Sequence, residues 1–161
     1  MIKRILLGLL VIFLLAQFVR PAKSNPPIDP AKELRAPANV QQIIDRSCVD
    51  CHTNRTSYPW YSQVTPINWY LADHIKEGRH ELNFSEYGSY KPRRKNKKLE
   101  EICEQVEEGE MPLPEYTWLH PGTKLSEADK QTLCAWSKSE RLALGAISKS
   151  SQSSATAAPP K

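Results

Sequence analysis

Residues 48–52 read Cys48-Val49-Asp50-Cys51-His52, and this pentapeptide decides how the rest of the chain is read. Two thiols three residues apart share one face of a helical turn, and a histidine follows the second directly. This C-x-x-C-H pattern is the signature of covalent c-type haem attachment. Each sulfur can form a thioether with one haem vinyl group, while the adjacent imidazole is directed at one face of the iron. Two other chemistries use paired cysteines. A thioredoxin-like dithiol would sit in a strand-helix-strand pattern, which the sequence lacks; a structural zinc site would need a second ligand pair at short spacing, and Cys103 and Cys134 are too widely separated to form one. The motif therefore points to one covalent haem, with Cys48 and Cys51 as its thioethers and His52 as its proximal iron ligand.

Working outward, Val40, Ile43, Ile44 and Ser47 recur at helical spacing, which predicts a short helix over residues 39–48 that runs into Cys48. Ile67, Tyr70, Leu71 and His74 form a stripe over residues 66–77, which opens on a proline and stops at Gly78. Leu99, Ile102, Cys103 and Val106 mark the cleanest amphipathic segment, residues 97–108, and Gly109 ends it. Ser126 with Asp129 resembles a capping box, and Asp129, Thr132, Leu133 and Trp136 then share a face of a helix running to about residue 143. No segment alternates convincingly as a strand, so the expected fold class is all-α.

The 161 residues carry a net charge of +4, with 13 prolines, 6 glycines and 4 cysteines. Residues 5–19 hold 13 apolar residues out of 15, preceded by Lys3 and Arg4 and followed by Arg20-Pro21, the layout of a charged n-region and an apolar h-region. Fifteen helical residues rise only about 22 Å against a hydrocarbon core of about 30 Å, so residues 1–20 read as an uncleaved anchor or a signal peptide. Either places the domain outside the cytoplasm. Five prolines make residues 21–38 an extended spacer, and a tail over residues 148–161 lacks the apolar side chains to order itself. About 110 residues remain for one domain, residues 39–147, whose core is lean unless a large apolar cofactor completes it.

The region from Cys48 to Trp136 resembles the small haem-binding-domain family of bacterial c-type cytochromes. The resemblance is carried by Cys48–Asn54, the aromatic run Tyr58-Pro59-Trp60-Tyr61, Gly78-Arg79, Leu82-Asn83-Phe84-Ser85, Gly109-Glu110-Met111-Pro112 and Leu119-His120-Pro121. It implies a cytochrome c-like small helical domain around one covalent haem, on the periplasmic side of the bacterial cytoplasmic membrane. It implies no substrate. Met111 is the only methionine beyond the initiator and sits in a proline-stiffened loop, so it is the expected distal iron ligand, with His74, His80 and His120 as competitors. Trp60 is a candidate haem wall and Arg79 a candidate propionate partner. Cys103 and Cys134 are expected to form a disulfide between the last two helices.

The run Lys91–Lys98 holds six cations in eight residues. A solvated face is the default; the sharper reading is docking to an acidic redox partner or to anionic lipid, and nucleic-acid binding is not expected of an exported chain. Together these readings give a monohaem c-type cytochrome that passes single electrons between redox partner proteins, with no catalytic residue, held at the inner membrane by its amino-terminal helix. The rival is a peroxidase-like haem enzyme or a gas or redox sensor whose sixth iron position is open or labile. A third reading is a binding or accessory module of a larger oxidase or peroxidase.

Overall fold

In the computed structural model, which describes residues 1–156 and their side chains to Ala146, regular structure among the described residues is entirely helical. The helices are α1 (Ile2–Ala16), α2 (Ala38–Ser47), α3 (Val49–His52), α4 (Ile67–Glu81), α5 (Pro92–Glu108), α6 (Pro114–Leu119) and α7 (Glu127–Thr156), with 3₁₀ turns at Trp60–Gln63 and Tyr87–Ser89. The all-α expectation holds, and three of the helix boundaries follow local chemistry. Pro92 opens α5 at a position where its missing donor costs nothing, Gly109 closes it with a φ of 78°, and the Ser126 hydroxyl accepts from the Asp129 amide at 3.1 Å to start α7.

The core forms where α5 lies along α7 and α2 packs against α7. Leu99 and Val106 of α5 meet Leu133 and Trp136 of α7, and Val40, Ile43 and Ile44 of α2 join them with Leu82, Phe84, Tyr87 and Leu125. Arg46 of α2 also pairs with Asp129 at 2.9 Å. Cys103 and Cys134 are bonded to each other, joining α5 to α7 as expected. The inward stripe of α5 was legible from its periodicity; the helix begins five residues earlier than expected because Arg94 and Lys95 lie over Tyr90 and Tyr87 instead of standing free.

Three expectations change. α1 has 15 residues and buries none of them, and no helix among the described residues is long and apolar enough to cross a membrane, so the transmembrane helix is not found. The spacer is extended, yet it does not stand off from the domain. Ser24 exchanges hydrogen bonds with the Tyr58 hydroxyl at 3.1 and 3.2 Å, the Asn25 side chain bonds the Thr56 backbone on both sides, and Leu34 donates to Phe84 at 2.8 Å. Prolines preserve an extended backbone while leaving neighbouring polar groups free to pair, so the segment is a strap across the domain. The tail expected to be disordered from residue 148 continues α7 to Thr156, its serines and alanines containing no helix breaker; residues 157–161 of that tail lie outside the described residues.

The disulfide closes a loop with a sequence separation of 31 residues. Replacing both cysteines by serine is expected to lower unfolding stability by about 2–4 kcal/mol, measured by urea denaturation of the oxidised and variant proteins. An unchanged midpoint would show that α5 and α7 hold together without it.

Candidate functional site

The haem motif occupies a break between two helices. Cys48 caps α2 with a φ of −126°, and the chain restarts as α3, which carries Cys51 and His52. The His52 amide donates to the Cys48 carbonyl at 3.0 Å, so the pentapeptide keeps the helical turn its spacing predicts. Both thiols are free and half-buried. Burial pushes Cys48 up to about 12, with the neighbouring Cys51 adding to the effect, and Cys51 up to about 11. Redox dithiols work through a lowered thiol pKa, so the environment argues against that reading.

His52 is held from behind. Its Nδ1 lies 2.9 Å from the Leu82 carbonyl and 3.1 Å from that of Gly78, both at the end of α4. Only acceptors face Nδ1, so that nitrogen carries the hydrogen and Nε2 keeps a lone pair, the arrangement of a metal-binding imidazole oriented by a backbone carbonyl. Burial also lowers the histidine's affinity for a proton, which keeps Nε2 available.

The segment after α4 completes the support. Phe84 donates its amide to the His52 carbonyl at 2.7 Å and sets its ring 6.2 Å from the imidazole. Asn54 donates to the Ser85 hydroxyl at 3.1 Å, and Asn83 bonds Asn54 at 2.9 Å. Thus Leu82-Asn83-Phe84-Ser85 is a second strand of backbone laid against the motif. Its chemistry was not legible from periodicity, since it lies between helices.

His52 lines two cavities of about 360 and 250 Å³, which share Ser47, Cys48, His52, Glu81, Met111 and Pro112. The larger is walled by apolar side chains, among them Ile44, Phe84, Ile102, Val106 and Leu133. Cys51, His74 and Tyr116 line the smaller, where the Tyr116 hydroxyl donates to Asp50 at 2.8 Å. Cys48, Cys51, His52 and Met111, picked from the sequence, are therefore brought to one cleft. The residues fit a haem: two thiols at thioether spacing, an oriented imidazole and a thioether sulfur line the smaller cavity, and the larger cavity, which shares Cys48, His52 and Met111 with it, adds an apolar wall.

Two predicted site residues lie elsewhere. Arg79 is fully committed to the strap and the loop after the motif, donating to the Thr53 and Ser24 carbonyls, the Asn25 side chain and the Thr56 hydroxyl at 2.7–2.8 Å, so it is a clamp with no place in either cavity wall. Trp60 is exposed on its 3₁₀ turn, while the apolar wall comes from α2, α5, α7 and the segment after α4. Neither could be separated from cavity residues by type alone. The cation that does line the larger cavity is Lys98, hidden within the basic run and paired with Glu81 at 2.9 Å and Glu101 at 2.7 Å. Burial works against its charge, yet the two carboxylates hold its pKa above the ordinary lysine value. Of the competing histidines, His80 is exposed beside Glu81, and His120 stacks on Tyr116 and bonds Tyr61.

Gly78 is where α4 passes closest to the motif: a Cβ there would lie 2.8 Å from the Cys51 carbonyl oxygen. Gly78→Ala is expected to cost about 1–3 kcal/mol of stability and to lower haem content, measured by urea denaturation and by absorbance per chain. Unchanged values for both would show that this approach does not position the motif.

No curated protein and no solved structure matches the chain. The sequence model of the haem-binding domain family matches residues 11–139, which takes in the strap, the motif, both cavities and the disulfide. The chain belongs to the haem-binding domain family.

Proposed function

We propose that this haem-binding protein is a monohaem c-type cytochrome that carries one electron at a time between redox partners outside the cytoplasm. The observation that carries the reading is the His52 imidazole, fixed through Nδ1 by two carbonyls and flanked by free Cys48 and Cys51. When bound, haem would supply the one-electron iron couple. The chain's own residues would hold it: Cys48 and Cys51 through thioethers, His52 through Nε2 and Met111 through its sulfur. A donor would give such a centre one electron and an acceptor would take the same electron away, with no substrate bond made or broken. Ile44, Phe84, Ile102, Val106 and Leu133 exclude water and hold the local dielectric low, which together with sulfur ligation favours a raised potential. Lys98 is the cavity's own cation for a haem carboxylate, in competition with Glu81 and Glu101.

Export is supported by the bonded Cys103 and Cys134, since such bonds persist in oxidising compartments, and by the charged and apolar layout of the amino terminus. In this reading α1 associates the chain with the inner membrane from the periplasmic side.

A second reading, a haem enzyme or gas sensor, is favoured by one observation: His74 and Tyr116 line the smaller cavity beside Met111. Visible absorption separates the two. The electron carrier gives a low-spin ferric spectrum with a weak far-red sulfur-to-iron band, which Met111→Ala abolishes together with a fall in reduction potential. A high-spin ferric protein that reacts readily with peroxide, and that takes up carbon monoxide once reduced with dithionite, with no change on Met111→Ala, would overturn electron transfer in favour of the second reading.

A further inference from the structure

The domain carries a set of exposed aromatic side chains that the haem site does not use, and they gather where α1 joins it. Trp60 is 79% exposed and Trp118 86% exposed, and Ile67, Trp69, Tyr70 and Leu119 are exposed as well. The elements that bear them are tied together. Tyr61, next to Trp60, bonds His120 at 3.2 Å at the end of α6, and Tyr70 of α4 donates to Glu115 at its start. The amino-terminal segment enters at the same place. Gln17 exchanges two hydrogen bonds with the Thr65 backbone at 2.9 and 3.1 Å, the Trp69 indole donates to the Val19 carbonyl at 2.8 Å, and Lys23 bonds the Ser62 hydroxyl at 2.7 Å. The apolar helix thus does not lead to a loose spacer; it runs straight into the aromatic face and is hydrogen-bonded to it.

Tryptophan and tyrosine have an apolar body and a polar tip, which suits the boundary between hydrocarbon and headgroups. α1 buries none of its residues, so an interface that takes up this apolar helix draws the adjoining domain against the membrane surface. An aromatic face fixed at the end of that helix then settles into the interface, while Arg20 and Lys23 meet anionic headgroups.

We propose that this face, centred on Trp60, Trp69 and Trp118, is a phospholipid-binding surface that lays the domain on the membrane beside α1 and fixes the orientation of the haem cleft relative to the bilayer. The proposal rests on the reading of α1 as a membrane-associating segment. It turns the protein from a tethered carrier that rotates freely into one held at a set angle, so that redox partners meet it within the plane of the membrane.

The test uses the full-length holoprotein with vesicles of phosphatidylethanolamine and phosphatidylglycerol. Flotation establishes whether the chain binds lipid, and hydroxyl-radical footprinting by X-ray radiolysis, read by peptide mass spectrometry, measures the oxidation rate of each side chain with and without vesicles. His80 serves as the internal control, because it is exposed and lies about 20 Å along α4 from Ile67. The expected result is flotation with at least threefold slower oxidation of Trp60, Trp69 and Trp118 and an unchanged rate at His80. Flotation with unchanged tryptophan rates would overturn the lipid surface while leaving the α1 reading intact, and would give the aromatic face to a protein partner instead. Equal protection of His80 would overturn the orientation, and a chain that fails to float would overturn the α1 reading and the surface together.

Discussion

The hydrogen bonds from His52 Nδ1 to the carbonyls of Gly78 and Leu82 are the constraint on which the rest of the structure turns. A histidine beside two cysteines has many rotamers; an iron ligand has one useful orientation. Here the orientation is set by the last turn of α4, where the Gly78 carbonyl also accepts the Leu82 amide at 2.9 Å and the chain then leaves the helix. Anything that shifts that turn moves the imidazole. The absence of a side chain at Gly78 lets α4 approach Cys51, and the buried Asn54, Asn83 and Ser85 side chains hold the following segment to the motif.

The same logic explains the strap. Arg79 lies one residue beyond Gly78, and its guanidinium gathers the Thr53 carbonyl, the Thr56 hydroxyl and the strap residues Ser24 and Asn25. An arginine fork used on four acceptors at once stabilises position more than charge. It joins the loop that leaves the motif to the segment that enters the domain, so the amino-terminal residues are part of the fold. The family match begins at residue 11, ahead of the strap.

Much of the fold was legible because periodicity reports burial. Val40, Ile43 and Ile44, Leu99 and Val106, and Leu133 and Trp136 all face the core on the helices that their spacing predicts. The site was legible where its chemistry is local: Cys48, Cys51 and His52 form one turn, and Met111 stands out as a lone sulfur in a stiff loop. What did not show was the work of segments without periodicity. The extended strap and Leu82–Ser85 act through backbone carbonyls and amides, which every residue has, so no side-chain pattern marks them. Lys98 lay hidden in a run of cations because its pairing with Glu81 depends on α4 meeting α5, a contact distant in sequence. Trp60 and Arg79 went astray for the converse reason, since an aromatic or a cation is equally at home in a cavity wall, a clamp or an outer face.

The central claim is that Cys48 and Cys51 are carbon–sulfur attachments for one haem whose iron is bound by His52. Intact-mass and peptide mass spectrometry of the protein matured in a host that has a c-type haem attachment pathway tests this most directly. The account predicts a mass increase of one haem per chain, confined to the peptide holding residues 48–52 and lost when both cysteines are replaced by alanine. An unmodified polypeptide, or haem released by acid–acetone extraction, would contradict it.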